Sequence, residues 1–162
     1  MKIKIFTTGG TIDKIYFDQK SEYQIGDPQA CGLLKRANVV IDYEAESLLR
    51  RDSLELTDDD RDVICRAVAD EVCDRVVVTH GTDTMIQTAK MLAAIGEKTI
   101  VLTGSMYPAR FADSDAIFNI ACAVTAVQIL PAGVYIAMNG KIFNPFNARK
   151  NVEQNRFEIL FG

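Results

Sequence analysis

Short apolar runs rich in β-branched residues punctuate the sequence, and several stop at a glycine or a hydroxyl. Lys2–Phe6 runs into Thr7-Thr8-Gly9-Gly10-Thr11, Arg75–Val78 into Thr79-His80-Gly81-Thr82-Asp83, and Thr99–Leu102 into Thr103-Gly104-Ser105. Such runs, bounded by turn residues, predict strands. Between them, apolar positions recur three and four residues apart. Val63, Ile64, Ala67 and Val68 share one helical face, behind Thr57-Asp58-Asp59-Asp60, a hydroxyl N-cap with acids in the first turn. Helices are also predicted over Gln29–Arg36, Thr84–Ile95 (closed by Gly96) and Ala116–Leu130 (capped by Asp113 or Ser114). Thr84-Met85-Ile86-Gln87 has the form of a capping box.

Two more strands are predicted at Asn38–Tyr43 and Gly133–Met138. Asn139-Gly140 is a strong hairpin turn, returning Lys141–Phe143 as a short arm. Glu44–Leu56 is ambiguous, Asn144–Asn151 reads as loop, and Val152–Phe161 as a candidate last strand. Strands alternating with helices predict an α/β fold: an open, mostly parallel, doubly wound sheet with helices on both faces. Asp13–Pro28 breaks the pattern. It is polar, without sustained period, and longer than most loops, so it is expected to be a lid or a disordered segment. A length of 162 residues suits one domain. Residues 1–162 are therefore expected to form a single domain, with no C-terminal domain.

A formal net charge of −4 offers no basic face for nucleic acid. No apolar stretch approaches the ~18 residues of a membrane span, which leads to the expectation of a cytoplasmic protein without membrane contact. Cys31, Cys65, Cys73 and Cys122 form no Cys-x-x-Cys pair and His80 is the only histidine. No metal site is expected, and the cysteines read as buried free thiols. For His80, just inside a strand end, a packed and hydrogen-bonded role is expected.

In an open parallel sheet, ligands bind at the carboxyl ends of the strands, near the switch in strand order. The three strand-end turns would bring Thr11, Thr82, Asp83 and Ser105 to one place, a site for a small polar molecule. Gly9-Gly10-Thr11 is neither a dinucleotide fingerprint nor a P-loop, so no nucleotide cofactor is expected.

Thr8-Gly9-Gly10-Thr11-Ile12 and Thr79-His80-Gly81-Thr82-Asp83-Thr84-Met85 resemble the two signatures of the L-asparaginase/glutaminase family, the bacterial-type threonine amidohydrolases. The similarity continues through Thr103-Gly104-Ser105-Met106, Ser114-Asp115, Asn119, Met138-Asn139 and Lys150. The resemblance implies an enzyme converting L-asparagine to L-aspartate and ammonia, with L-glutamine as the alternative substrate and no cofactor or metal. Thr11 matches the family's nucleophilic threonine, Tyr23 its lid tyrosine, and Thr82 and Lys150 a second threonine with its lysine partner. Asp83 matches the aspartate that receives the substrate ammonium, and Ser53 the serine that holds the α-carboxylate. Gly10, Gly81 and Ser105 complete the expected binding set. Two features depart from the family: Leu54 stands where some members carry a polar side chain, and the family's enzymes are about twice this length. A non-catalytic amino-acid-binding module and the amidase subunit of a larger amidotransferase are the alternatives. The edge that faces a second domain in longer relatives would be open here, so a homo-oligomer, as a dimer, is expected.

Overall fold

A computed structural model describes residues 1–161. In chain order its strands are β1 (Lys2–Gly9), β2 (Lys14–Phe17), β3 (Glu22–Ile25), β4 (Asp42–Arg51), β5 (Arg75–Thr79), β6 (Thr99–Thr103), β7 (Gly133–Met138), β8 (Lys141–Phe143), β9 (Ala148–Asn151) and β10 (Arg156–Ile159). The helices are α1 (Ala30–Arg36), α2 (Asp58–Asp70), α3 (Met85–Leu92) and α4 (Ala116–Ile129). The main sheet has the order β4-β1-β5-β6-β7-β8. All its pairings are parallel except the β7–β8 hairpin. The chain moves from β1 outward to β4, then crosses back to β5 on the other flank of β1. The switch in strand order therefore lies between β1 and β5, where the two glycine turns emerge.

Successive residues of a strand face opposite sides, and here both sides are covered, which explains why the strands read as continuous apolar runs. Ile3, Ile5, Val77 and Val101 pack with Leu33 and Leu34 of α1 and Ile120 and Val127 of α4. Phe6, Val76, Val78 and Leu102 pack on the opposite face with Ile64 and Val68 of α2 and Met85 and Leu92 of α3. At about 25 cal/mol per Å² of apolar surface removed from water, these two layers dominate the stability of the fold.

Several expectations are corrected. Asp13–Pro28 is not an irregular loop: most of it is the antiparallel β2–β3 ribbon, with Tyr16 opposite Tyr23. Both tyrosines are about half exposed. With neither face buried, the ribbon never acquires the alternation that would have marked it as strand. The second long strand is Asp42–Arg51, not Asn38–Tyr43. It is a sheet edge whose exposed Glu44 and Glu46 pair with Lys2 and Lys4 of β1, so charge hid its β character. The supposed loop before Asn151 contains β9, which pairs with β10 in the tail.

Helix ends also shift. α3 stops at Leu92, short of Ile95 and Gly96. Thr84 occupies its N-cap position without capping: its hydroxyl donates instead to the Ser53 carbonyl at 2.8 Å. α4 begins after Asp115, and Ser114 Oγ accepts the Ala116 N–H at 3.1 Å. Thr57 does cap α2, in a reciprocal box with Asp60. Val63 turns outward from that helix while Ile64 and Val68 are buried. The four cysteines are free but only partly buried.

Candidate functional site

The site is built where β1 and β5 end side by side. Thr7 pairs with Thr79, and one residue later the Thr8 hydroxyl donates to the Thr79 carbonyl at 2.9 Å. Gly10 then turns the chain with φ +88°, in the left-handed region where glycine is favoured. A Cβ on Gly10 would lie 2.4 Å from Gly81 Cα, and one on Gly81 would lie 2.6 Å from Ser53 Oγ. The Gly10 turn, the Gly81 turn and the Ser53 turn are therefore in direct contact, and no side chain fits between them. This close approach makes Thr11, Thr82 and Ser53 neighbours.

Lys150 completes the group from the far end of the chain. Its Nζ donates to Thr82 Oγ1 at 2.8 Å and to Asp83 Oδ1 at 2.7 Å. The lysine and Thr82 are largely buried, while the Asp83 side chain keeps 36% of its exposure and can meet a ligand. Charge-assisted bonds of this kind are shorter and stronger than neutral ones. Lys150 rides on β9, opposite Phe157 of β10. That ribbon is secured through its backbone: Asn139 Oδ1 accepts the Phe157 N–H at 2.9 Å, and Asn119 Oδ1 accepts the Asn139 N–H at 3.2 Å. Asn119 also donates to the Gly104 carbonyl and to Asp115, whose carboxylate accepts the N–H groups of Met106 and Tyr107. One asparagine thus links the turn after β6 to the mount of Lys150.

Ser53 is 1% exposed and its Oγ has no hydrogen-bond partner in the protein. A buried hydroxyl without a partner costs free energy, and this one is packed against the Gly81 turn. Asp52 fixes the turn by accepting the Leu54 N–H at 3.2 Å. Two expected residues are not tied into this group. Ser105 spends its hydroxyl on the Tyr107 carbonyl at 2.5 Å. Tyr23 packs its ring on Tyr16 and Phe111, at 5.4 and 6.2 Å between centroids. Among the described residues, neither makes a hydrogen bond to Thr11, Thr82 or Ser53.

His80 sits beneath the Gly81 turn, fully buried. Its Nδ1 lies 2.7 Å from the Gly81 carbonyl and its Nε2 2.8 Å from Thr88 Oγ1. A carbonyl only accepts, so Nδ1 carries the hydrogen and Nε2 accepts from the threonine. Burial pushes its pKa down to about 4, against the opposing pull of the Gly81 carbonyl. The ring is neutral and fully occupied, a brace for the turn. Asp13, two residues after Thr11, is a group that sequence reasoning missed. It is 1% exposed, and burial pushes its pKa up to about 7. Its one sequence signal is a carboxylate that directly follows Ile12, an apolar residue buried in the turn after β1. Among the described residues, no cluster of three His, Cys, Asp or Glu side chains is placed to hold a metal, and no helix is long and apolar enough to cross a membrane.

Hydroxyls, a lysine and a carboxylate are thus gathered at the switch point of an α/β sheet. The asparaginase N-terminal family model matches residues 2–158. The L-asparaginase of Thermococcus kodakarensis is 34% identical over 150 residues, covering 88% of this chain and 45% of that protein. A glutaminase-asparaginase of Pseudomonas aeruginosa is 34% identical over 134 residues, 78% of this chain and 36% of that protein. The solved structure of the thermostable Thermococcus kodakarensis L-asparaginase superposes with a TM-score of 0.83 at 30% identity, over 98% of this chain and 51% of that one. The chain belongs to the asparaginase family, matching its N-terminal domain. It spans less than half the length of these curated relatives.

Proposed function

We propose that this site hydrolyses the side-chain amide of L-asparagine, giving L-aspartate and ammonia. The observation that carries the reading is Lys150 Nζ placed 2.8 Å from Thr82 Oγ1 and 2.7 Å from Asp83 Oδ1, on turns packed against that of Thr11. Thr11 Oγ attacks the amide carbon, and N–H groups of the glycine turns receive the developing oxyanion. The carbon–nitrogen bond breaks, and ammonia leaves with the proton taken from Thr11. Water then cleaves the acyl ester and restores the hydroxyl. Thr82, Lys150 and Asp83 form the relay that carries protons through these steps, and Asp83 also faces the substrate ammonium. Ser53 Oγ, otherwise without a partner, binds the α-carboxylate. L-Glutamine is the second substrate to try, because a relative of this chain is a glutaminase-asparaginase.

The test is ammonia release by the purified chain, followed with both amides. Asparagine is expected to be turned over. Thr11→Val, Thr82→Val and Lys150→Met are each expected to lower kcat by roughly 100-fold or more, the scale of proton-transfer catalysis, without altering the circular dichroism. Release from neither amide, or full turnover in all three variants, would overturn the reading.

A further inference from the structure

The β2–β3 ribbon carries Tyr23, and two four-residue strands are marginal on their own in water. Its ring contacts are with Tyr16 and Phe111, and both tyrosines remain about half exposed. Beside the Tyr23–Phe111 contact, charge ties the ribbon to the rest of the molecule near the site. Lys14, its first residue, places Nζ 2.7 Å from Asp52 Oδ2, with both side chains about three-quarters buried. A second pair, Arg50 with Asp27 at 2.8 Å, is mostly exposed, and such surface pairs contribute little.

Asp52 does two things at once. One oxygen holds Lys14, while the other accepts the Leu54 N–H and shapes the turn that presents Ser53. Burial pushes the Asp52 carboxyl up, but the Lys14 hydrogen bond, the Leu54 N–H and the charges of Lys14 and Lys150 together hold it below the usual carboxylate range. It is therefore ionised at neutral pH and lies within the field of the site lysine. The ribbon's well-shielded ion pair thus lands on the residue next to Ser53.

Resting on the reaction proposed above, we infer that Lys14 and Asp52 form a latch that seats the Tyr23 ribbon against the Ser53 turn. They are positioning residues for substrate binding and touch no reacting atom. Loss of the latch releases the ribbon and weakens binding, while a substrate once bound still meets Thr11, Thr82 and Lys150 in place.

The test uses Lys14→Met, Asp52→Asn, the double variant and Lys14→Arg. Asn at position 52 keeps an oxygen for the Leu54 N–H, and Lys14→Met, which leaves the Asp52 charge beside Lys150, isolates the ion pair. Amide hydrogen exchange of residues 15–25, without ligand, should quicken about fivefold in each single variant, with α2 and α4 unchanged. The double variant should match the singles, because one interaction is removed only once, and Lys14→Arg should restore slow exchange. In asparagine hydrolysis the same variants should raise KM about fivefold and leave kcat within about twofold. Unchanged exchange in the single variants, or additive effects in the double, overturns the latch. So does a loss confined to kcat. If no amide is hydrolysed by any form, the proposed reaction falls, and the exchange measurement still decides whether the ion pair holds the ribbon.

Discussion

Asp13 contributes stability that is lost as pH rises. The carboxyl is 1% exposed, accepts the Gln29 N–H at 2.8 Å through Oδ1, and has no partner for Oδ2. Burial raises its pKa from 3.8 to about 7, with the Gln29 N–H and the Arg50 charge pulling the other way. Across that window the folded chain keeps a proton that the unfolded chain has lost. Stability is therefore fully present below the unfolded value and is lost as pH rises through the folded one. At about 1.36 kcal/mol for each tenfold change in proton affinity, the total is about 4 kcal/mol. Asp13→Asn retains an acceptor for Gln29 and removes the titration. In urea melts taken at intervals from about pH 4 to about pH 8, the unfolding free energy of the wild type minus that of the variant is expected to fall by about 4 kcal/mol and then level off. His80 acts in the opposite sense: with its pKa lowered from 6.5 to about 4, its contribution is present above the higher value and lost as pH falls. It is common to both proteins and cancels in the difference. In the variant alone it stands unmasked, and stability should climb by about 3 kcal/mol across its window. A difference curve that is flat with pH would refute the burial argument for Asp13.

Two further outcomes are expected. Gly81→Ala should be destabilised by more than about 2 kcal/mol and lose turnover, because the added methyl meets Ser53 Cβ and Oγ at 2.6 Å; a urea midpoint equal to wild type would show that the turns are not in the contact described. Sedimentation at micromolar concentration should give a dimer, since Phe118, Ile129 and Ile142 leave apolar side chains exposed on α4 and β8, and a strictly monomeric species would count against it.

The buried half of this molecule was legible because burial writes itself into sequence. Val76-Val77-Val78 reads as a strand covered on both faces, and Gly81 after it as a turn with no room for a side chain. Thr82, Asp83 and Lys150 were identified from motif and resemblance, and the three side chains do converge. The exposed half was not legible. β4 and the β2–β3 ribbon are held by ion pairs and cross-strand contacts, such as Lys4 with Glu46 or Tyr16 with Tyr23. Local periodicity carries no record of those. Thr84 shows the same limit at one residue: its local sequence favours a cap, but the Ser53 carbonyl, brought in by another segment, accepts its hydrogen bond. The burial of Asp13 was hidden for a similar reason, since the Gln29 N–H that it accepts belongs to the next element.

The ribbon that carries Lys150 pairs only with itself and joins no strand of the main sheet. A ribosome makes the chain from its amino end. A nascent polypeptide that has emerged as far as Phe143 already exposes all six strands of that sheet and all four helices, while Lys150 is still inside the ribosome. The cation that we place in the relay is therefore among the last parts of the molecule to be exposed, together with Ala148 and Phe157, which complete one of its two core layers.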